Sequence, residues 1–262
     1  MLVDSHCHLD FDVFDEDRSE TIQRARDAGV AAMVTICTRV TKFEEICAIA
    51  ETDDNIWCSV GIHPHQAEEE PVVTVEDLVS RAAHPKVIAI GETGLDYYYD
   101  NSPRELQETS FRTHIAASRE TGLPLIVHTR DADEDMAEIL EDEMEKGAFP
   151  GVLHCFSSGR RLAERALDIG FYISLSGIVT FKNAQDLRDI VKDVPVDRIL
   201  VETDAPFLAP IPNRGKRNEP AFVADTAARV AELKAMDNQA LSAASTENFF
   251  RLFSKAKRPV NS

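Results

Sequence analysis

LVDSHCHLD, residues 2–10, begins as a strand-forming apolar run and ends in two histidines two positions apart. In an extended strand residues i and i+2 face the same side, so the rings of His6 and His8 converge while Cys7 turns to the other face. Convergent neutral imidazoles suit a metal ion, although such pairs also occur on ordinary surfaces. What decides between the two is whether other strands of the chain end in the same way.

Short β-rich runs do recur along the whole sequence. After the first come AAMVTIC (31–37), IWCSVGI (56–62), KVIAIGE (86–92), PLIVH (124–128), GVLHC (151–155), YISLSG (172–177) and RILVETD (198–204). Amphipathic stretches separate them, at the spacing of a (β/α)8 unit. In RSETIQRARDAG (18–29), Ile22, Ala25 and Ala28 make an apolar face and Gly29 a stop. RELQETSFRTHIAASRETG (104–122) follows Pro103 and ends near Gly122, with Leu106, Phe111, His114 and Ile115 on its inner face. Two further helices, near 221–234 and 238–254, are predicted to finish the chain. Eight strands with intervening helices predict a closed parallel barrel, an α/β TIM barrel, rather than an open sheet. No linker, repeat or low-complexity segment divides it, so residues 1–262 read as a single domain.

Composition agrees. The chain has 262 residues, 44% of them hydrophobic, enough for one large core. No apolar run reaches the roughly 20 residues needed to span a bilayer, and the start lacks a signal-peptide pattern. Five scattered cysteines (Cys7, Cys37, Cys47, Cys58, Cys155), with no CxxC pair, predict reduced thiols and a cytoplasmic protein. A formal charge of −18 argues against a general polyanion-binding surface and predicts no membrane association; most of the acids read as a solvated helix layer.

In a barrel of this kind chemistry collects at the C-terminal ends of the strands. Those ends carry His6 and His8, then His63 and His65 in GIHPH, Glu92 in GETGLD, His128 in VHTR, His154 in LHC and Asp204 in VETDAP. Only His84, before a proline, and His114, within a helix, fall elsewhere. Each residue alone could be a capping or turn residue, but a shared rim by coincidence is a poor explanation for six imidazoles. Clustered carboxylates and imidazoles are costly to bury without a cation. Four imidazoles and two carboxylates exceed the ligand count of one catalytic metal, so two divalent ions sharing a carboxylate fit better. A central strand should supply the bridge, which nominates Glu92. One ion would take His6, His8 and Asp204, and the other His128 and His154. Mixed N/O donors leave Mg, Mn, Zn, Fe or Co open.

Taken in order, DSHCHLD, GIHPH, GETGLDYY, VHTRDA, LHCFSS, VETDAPFLAP and RGKRNEP resemble the TatD family of metal-dependent deoxyribonucleases, and STENFFRLF resembles its C-terminus. One departure is Ser158 where the family more often has glycine; Gly159 follows. The resemblance implies a barrel of the amidohydrolase-like superfamily that hydrolyses DNA, as a 3′→5′ exonuclease preferring single strands. Its two-metal ligand pattern falls on His6, His8, Glu92, His128, His154 and Asp204.

The expected chemistry is phosphodiester hydrolysis by a water whose pKa two metal ions lower. Glu92 would bridge them, Asp204 would take the water's proton, and His63, left over among the histidines, would contact a phosphate oxygen. Glu202, two residues from Asp204, would orient a ligand histidine. His65, Arg130, Lys182, Arg214, Lys216 and Arg217 are candidate substrate contacts, and Tyr97, with Tyr98 and Tyr99, could stack on an unpaired base. Trp57 reads as core. DNA is the expected partner, with no obligate protein partner evident. Two other readings are a barrel metallohydrolase of small phosphoesters, amides or lactones, which GETGLD in place of a bridging lysine disfavours, and a non-catalytic nucleic-acid-binding scaffold, which the complete ligand set disfavours.

Overall fold

Each β-rich run pairs with the next in parallel. The computed structural model describes residues 1–259, so the last three residues of the one-domain reading lie outside the described residues. Its strands are β1 (Leu2–Cys7), β2 (Val30–Thr35), β3 (Ile56–Val60), β4 (Val87–Asp96), β5 (Leu125–Arg130), β6 (Gly151–Leu153), β7 (Tyr172–Leu175) and β8 (Ile199–Val201). They form one eight-stranded sheet in sequence order. The helices are α1 (Arg18–Asp27), α2 (Phe43–Glu51), α3 (Val75–Ala82), α4 (Arg104–Thr121), α5 (Asp133–Lys146), α6 (Arg160–Asp168), α7 (Gln185–Asp193), α8 (Val223–Leu233) and α9 (Asn238–Leu252). The ring closes where β8 runs out: Cys7 bridges Ala205, the Asp204 N–H donates to the His6 carbonyl at 2.9 Å, and the His8 N–H donates to the Ala205 carbonyl at 2.8 Å. This is a TIM barrel.

Pleat alternation divides the core in two. Val3, Val34, Trp57, Ile88, Ile126, Val152, Tyr172 and Leu200, one from each strand, cluster with Phe249, Phe250 and Phe253. These phenylalanines come from α9 and the residue just beyond it, which lie across the N-terminal mouth. Thr246 and Asn248 bind the carbonyls of Met1, Val196 and Ile199 there. Burying a side chain such as Phe249 stabilises the plug by roughly 1.5–3 kcal/mol. The larger cluster fills the space between sheet and helices and includes Cys7, Met33, Ile46, Phe111 and Ile115. With the bottom plugged by carbon, polar strand ends collect at the top.

The helical faces differ from the sequence pattern at two places. Ala28 is exposed, beyond the end of α1. Leu106 is 42% exposed, and Gln107 takes the buried position beside it. Gln107 is tolerated inside because its amide is fully used: Oε1 accepts the Asp96 N–H at 2.8 Å, and Nε2 donates to the carbonyls of Ser102 and Asp96 at 2.8 and 3.2 Å.

Candidate metal centre

The top of the barrel is organised by β4, which is longer than the apolar run KVIAIGE indicates. Gly91 and Gly94, with φ of +127° and +140°, read as turn signals, yet the strand continues to Asp96. It does so through a register shift between Ile90 and Thr93, after which Thr93–Asp96 pair with Val127–Arg130 of β5. Gly94 is required there, because a Cβ would stand 2.0 Å from the His128 carbonyl oxygen. The result is one strand presenting two buried carboxylates, Glu92 and Asp96, to the mouth.

Glu92 stands at the centre. Its Oε2 lies 3.3 Å from Nε2 of His6, which is itself 3.3 Å from Nε2 of His8. Asp204 Oδ1 lies 3.3 Å from His8 Nε2 and 3.7 Å from His6 Nε2. The other Glu92 oxygen, Oε1, faces His154 Nε2 at 2.7 Å, His128 Nδ1 at 3.2 Å and His63 Nε2 at 3.4 Å. So the two oxygens of one carboxylate look toward separate donor groups, His6/His8/Asp204 and His128/His154.

Behind these rings stand more carboxylates. Glu202 Oε1 lies 3.2 Å from His154 Nδ1 and accepts the Cys155 N–H at 2.6 Å, while its other oxygen accepts the Ser174 hydroxyl. Asp96 Oδ2 lies 3.0 Å from His128 Nε2 and 2.7 Å from His65 Nε2. Its Oδ1 accepts the N–H groups of Tyr98 and Tyr99 at 3.1 and 2.9 Å. Just beyond β3, the Ile62 N–H donates to Nε2 of His114, buried on α4, at 3.0 Å, which fixes the backbone ahead of His63.

Burial alone would raise the Glu92 carboxyl, but His154, His63 and His6, with a hydrogen bond to His128, hold it well below the usual carboxylate range. Burial would likewise depress His154, and Glu92 and Glu202 outweigh it, carrying the imidazole well above its ordinary value. For His63 burial wins and lowers it to about 4, despite Glu92. Its Nδ1 accepts the His65 N–H at 3.1 Å, which leaves the ring hydrogen on Nε2.

This donor set fits divalent cations. His6, His8 and Glu92 offer atoms within 4.8 Å of one another, as do His63, Glu92 and His128. Nε2 of His6 and Nε2 of His8 oppose each other at 3.3 Å, and Glu92 Oε2 and Asp204 Oδ1 face the same two nitrogens at 3.3 Å, so four electron-rich atoms crowd one point. A cation at their common point relieves that, and nitrogen with carboxylate oxygen, free of thiolate, suits Zn, Mn, Fe, Co or hydrated Mg. Cys7 is buried against the Val34 carbonyl, away from the cluster.

Above the cluster a cavity of about 1400 Å³ is lined by His8, His63, His65, Glu92, His128, His154 and Asp204. Tyr97, Arg104 and Arg130 also line it, and Arg130 lies over the rings of Tyr98 and Tyr99 at 4.1 and 4.8 Å. Four basic residues singled out from the sequence are not among the lining. Arg217 binds Asp17 at 2.7 Å and lies over Phe14; Arg214 lies over Phe181; Lys182 and Lys216 are exposed. Sequence reasoning passed over Asp96, although it sits in GETGLD at even spacing from Glu92, and over Phe11 and Phe207, which flank His8 at ring separations of 4.9 and 6.4 Å.

Known proteins resemble the chain over nearly its whole length. The family model described as "TatD related DNase" matches residues 3–254. The chain is 42% identical to the Bacillus subtilis (strain 168) protein named "Uncharacterized metal-dependent hydrolase YabD", over 97% of this chain and 99% of that one. It is 36% identical to the "3'-5' ssDNA/RNA exonuclease TatD" of a Rahnella strain, over 94% and 95% of the two chains. Among solved structures, the TatD homologue YjjV of Escherichia coli K12 superposes with a TM-score of 0.90 at 30% identity, covering 97% of this chain and 98% of that one.

Proposed function

The chain belongs to the TatD family of metal-dependent hydrolases, and from that membership we propose that it cleaves phosphodiester bonds of single-stranded DNA, removing nucleotides from the 3′ end with two divalent cations at the barrel mouth. The observation that carries this reading is the division of Glu92, whose Oε2 faces His6 and whose Oε1 faces His154 and His128. The exonuclease named among its relatives supports the substrate.

In this proposal His6, His8 and Asp204 would hold one ion and His128 and His154 the other, with Glu92 as the carboxylate available to both. Bound there, the cations supply Lewis-acid polarisation of the phosphodiester and a lowered pKa for the attacking water. The chain's own groups do the rest. Asp204, partly open to the cavity beside His8, accepts the water's proton. His63 carries its hydrogen on Nε2, and that N–H donates to a phosphate oxygen as charge develops. Glu202 on His154 and Asp96 on His128 keep the opposite ring nitrogens turned toward Glu92. Arg130, a cation on the cavity wall, meets a backbone phosphate, and the tyrosines beside it take a base.

Product analysis tests this directly. Metal-stripped protein supplied with Mg, Mn or Zn should shorten 5′-labelled single strands stepwise, yielding a ladder from the 3′ end. Internal cuts, or turnover confined to small esters and amides, would displace the exonuclease reading.

A further inference from the structure

Two aromatic walls face each other across the cavity. One follows β4 and β5 and consists of Tyr97 and Tyr99 with Arg104 and Arg130. The other follows β1 and β8 and consists of Phe11 and Phe207, whose rings meet edge to face at 5.6 Å. In a ring ordered β1 to β8, these strand pairs are diametrically opposed. Each wall abuts one end of the histidine cluster: Phe11 lies 4.9 Å from His8, and Tyr99 lies 5.3 Å from His65. Glu92 lies between.

The walls differ in where the cavity's cations stand, although Asp131, Asp133, Glu134 and Asp135 also line the tyrosine side and Arg104 pairs with Asp100 at 3.0 Å. Both arginines that line the cavity stand on the tyrosine side, with Arg104 4.0 Å over Tyr97 and Arg130 over Tyr98 and Tyr99. No arginine or lysine lines the cavity on the phenylalanine side among the described residues. Phe207 is nevertheless 49% exposed, a large apolar ring packed edge to face on Phe11 at the cavity edge, on a backbone fixed by the N–H bond to the Asp204 carbonyl at 2.9 Å. An exposed ring locked beside a buried cluster offers a stacking surface to a flat neutral group, and cations beside tyrosines offer one to a phosphate with its base.

Resting on the exonuclease reading above, we propose that Phe207, backed by Phe11, is the subsite for the base of the 3′-terminal nucleoside, while the remaining strand leaves over the tyrosine–arginine wall. The scissile phosphate then lies above Glu92, between the walls. The subsite takes any base by stacking, so it reads the presence of a base and not its identity.

Binding measured by fluorescence anisotropy on metal-stripped protein tests this apart from turnover. The probes are a labelled single-stranded hexanucleotide and the same strand with an abasic residue at its 3′ or 5′ end. Wild-type protein should bind the 3′-abasic strand about tenfold more weakly than the intact strand. It should bind the 5′-abasic strand unchanged. Phe207→Ala should bind intact and 3′-abasic strands equally, and Phe207→Leu, which keeps apolar bulk without the ring face, should behave the same way. Loss of discrimination at the 5′ end instead, discrimination that survives both substitutions, or no binding by wild-type protein overturns the proposal. Base-dependent binding without any metal-dependent cleavage leaves the subsite standing and removes the exonuclease reading.

Discussion

Asp96 stands 3.0 Å from Nε2 of His128, while Nδ1 of the same ring faces Glu92 at 3.2 Å. A carboxylate on one ring nitrogen holds the hydrogen there and directs the lone pair of the other outward. Asp96 also binds His65 and, through its second oxygen, the backbone of Tyr98 and Tyr99. One buried side chain therefore ties a candidate ligand to the wall of the cavity.

Replacing it should separate the two metal positions. Asp96→Asn keeps the size and loses the charge, so the ion assigned to His128 and His154 should bind about 10–100-fold more weakly. The ion assigned to His6 and His8 should bind as before. Calorimetric titration of metal-stripped protein resolves the two steps, and nitrogen NMR of His128 should show a mixed tautomer. Equal weakening of both steps would mean that Asp96 acts on the fold rather than on His128.

Gly94 sets the register that brings Glu92 and His128 together. Gly94→Ala places a methyl against the His128 carbonyl oxygen at a φ of +140°, so the β4–β5 pairing must shift. The expected loss is on the order of 3 kcal/mol, read as a lower urea midpoint. Wild-type stability in this variant would mean that β4 relaxes without cost.

The strands were legible because their apolar runs are short, β-branched and evenly spaced, and all eight appear where those runs lie. The shared rim of His6, His8, Glu92, His128, His154 and Asp204 followed from strand order alone. Asp96 was not legible, because Gly91 and Gly94 look like the end of a strand and the register shift that lets β4 continue depends on β5. Gln107 was missed for a related reason: hydrophobicity chose Leu106, but the buried position carries an amide that the backbone satisfies. Phe11 and Phe207 become neighbours only through closure of β8 onto β1.

Arg217 has a structural partner. Its guanidinium and that of Arg24 bind Asp17, linking α1 to the segment after β8, and Glu219 joins Arg24 at 2.7 Å. The hydrogen bonds from Arg217 and Arg24 hold the Asp17 carboxyl below its ordinary value. A depressed carboxyl stabilises the fold fully above its unfolded value, near pH 4, and progressively less as pH falls toward the depressed one. Because the pair is about a third exposed, Asp17→Asn should cost only about 1 kcal/mol at pH 7 and less at high salt. The difference between variant and wild type should shrink as pH drops below about 4. A difference constant with pH would assign the loss to packing.

The proposed role of Glu92 as a carboxylate shared by two ions is tested most directly by counting metal. Wild-type and Glu92→Ala proteins, loaded with Mn and dialysed together, are measured for metal content and for cleavage of end-labelled single strands, with circular dichroism confirming the fold. The expected result is about two ions per chain in wild type and at most one in the variant, with cleavage lost alongside. A folded Glu92→Ala protein that keeps both ions, or that cuts at the wild-type rate, would contradict the assignment of Glu92 as the bridge.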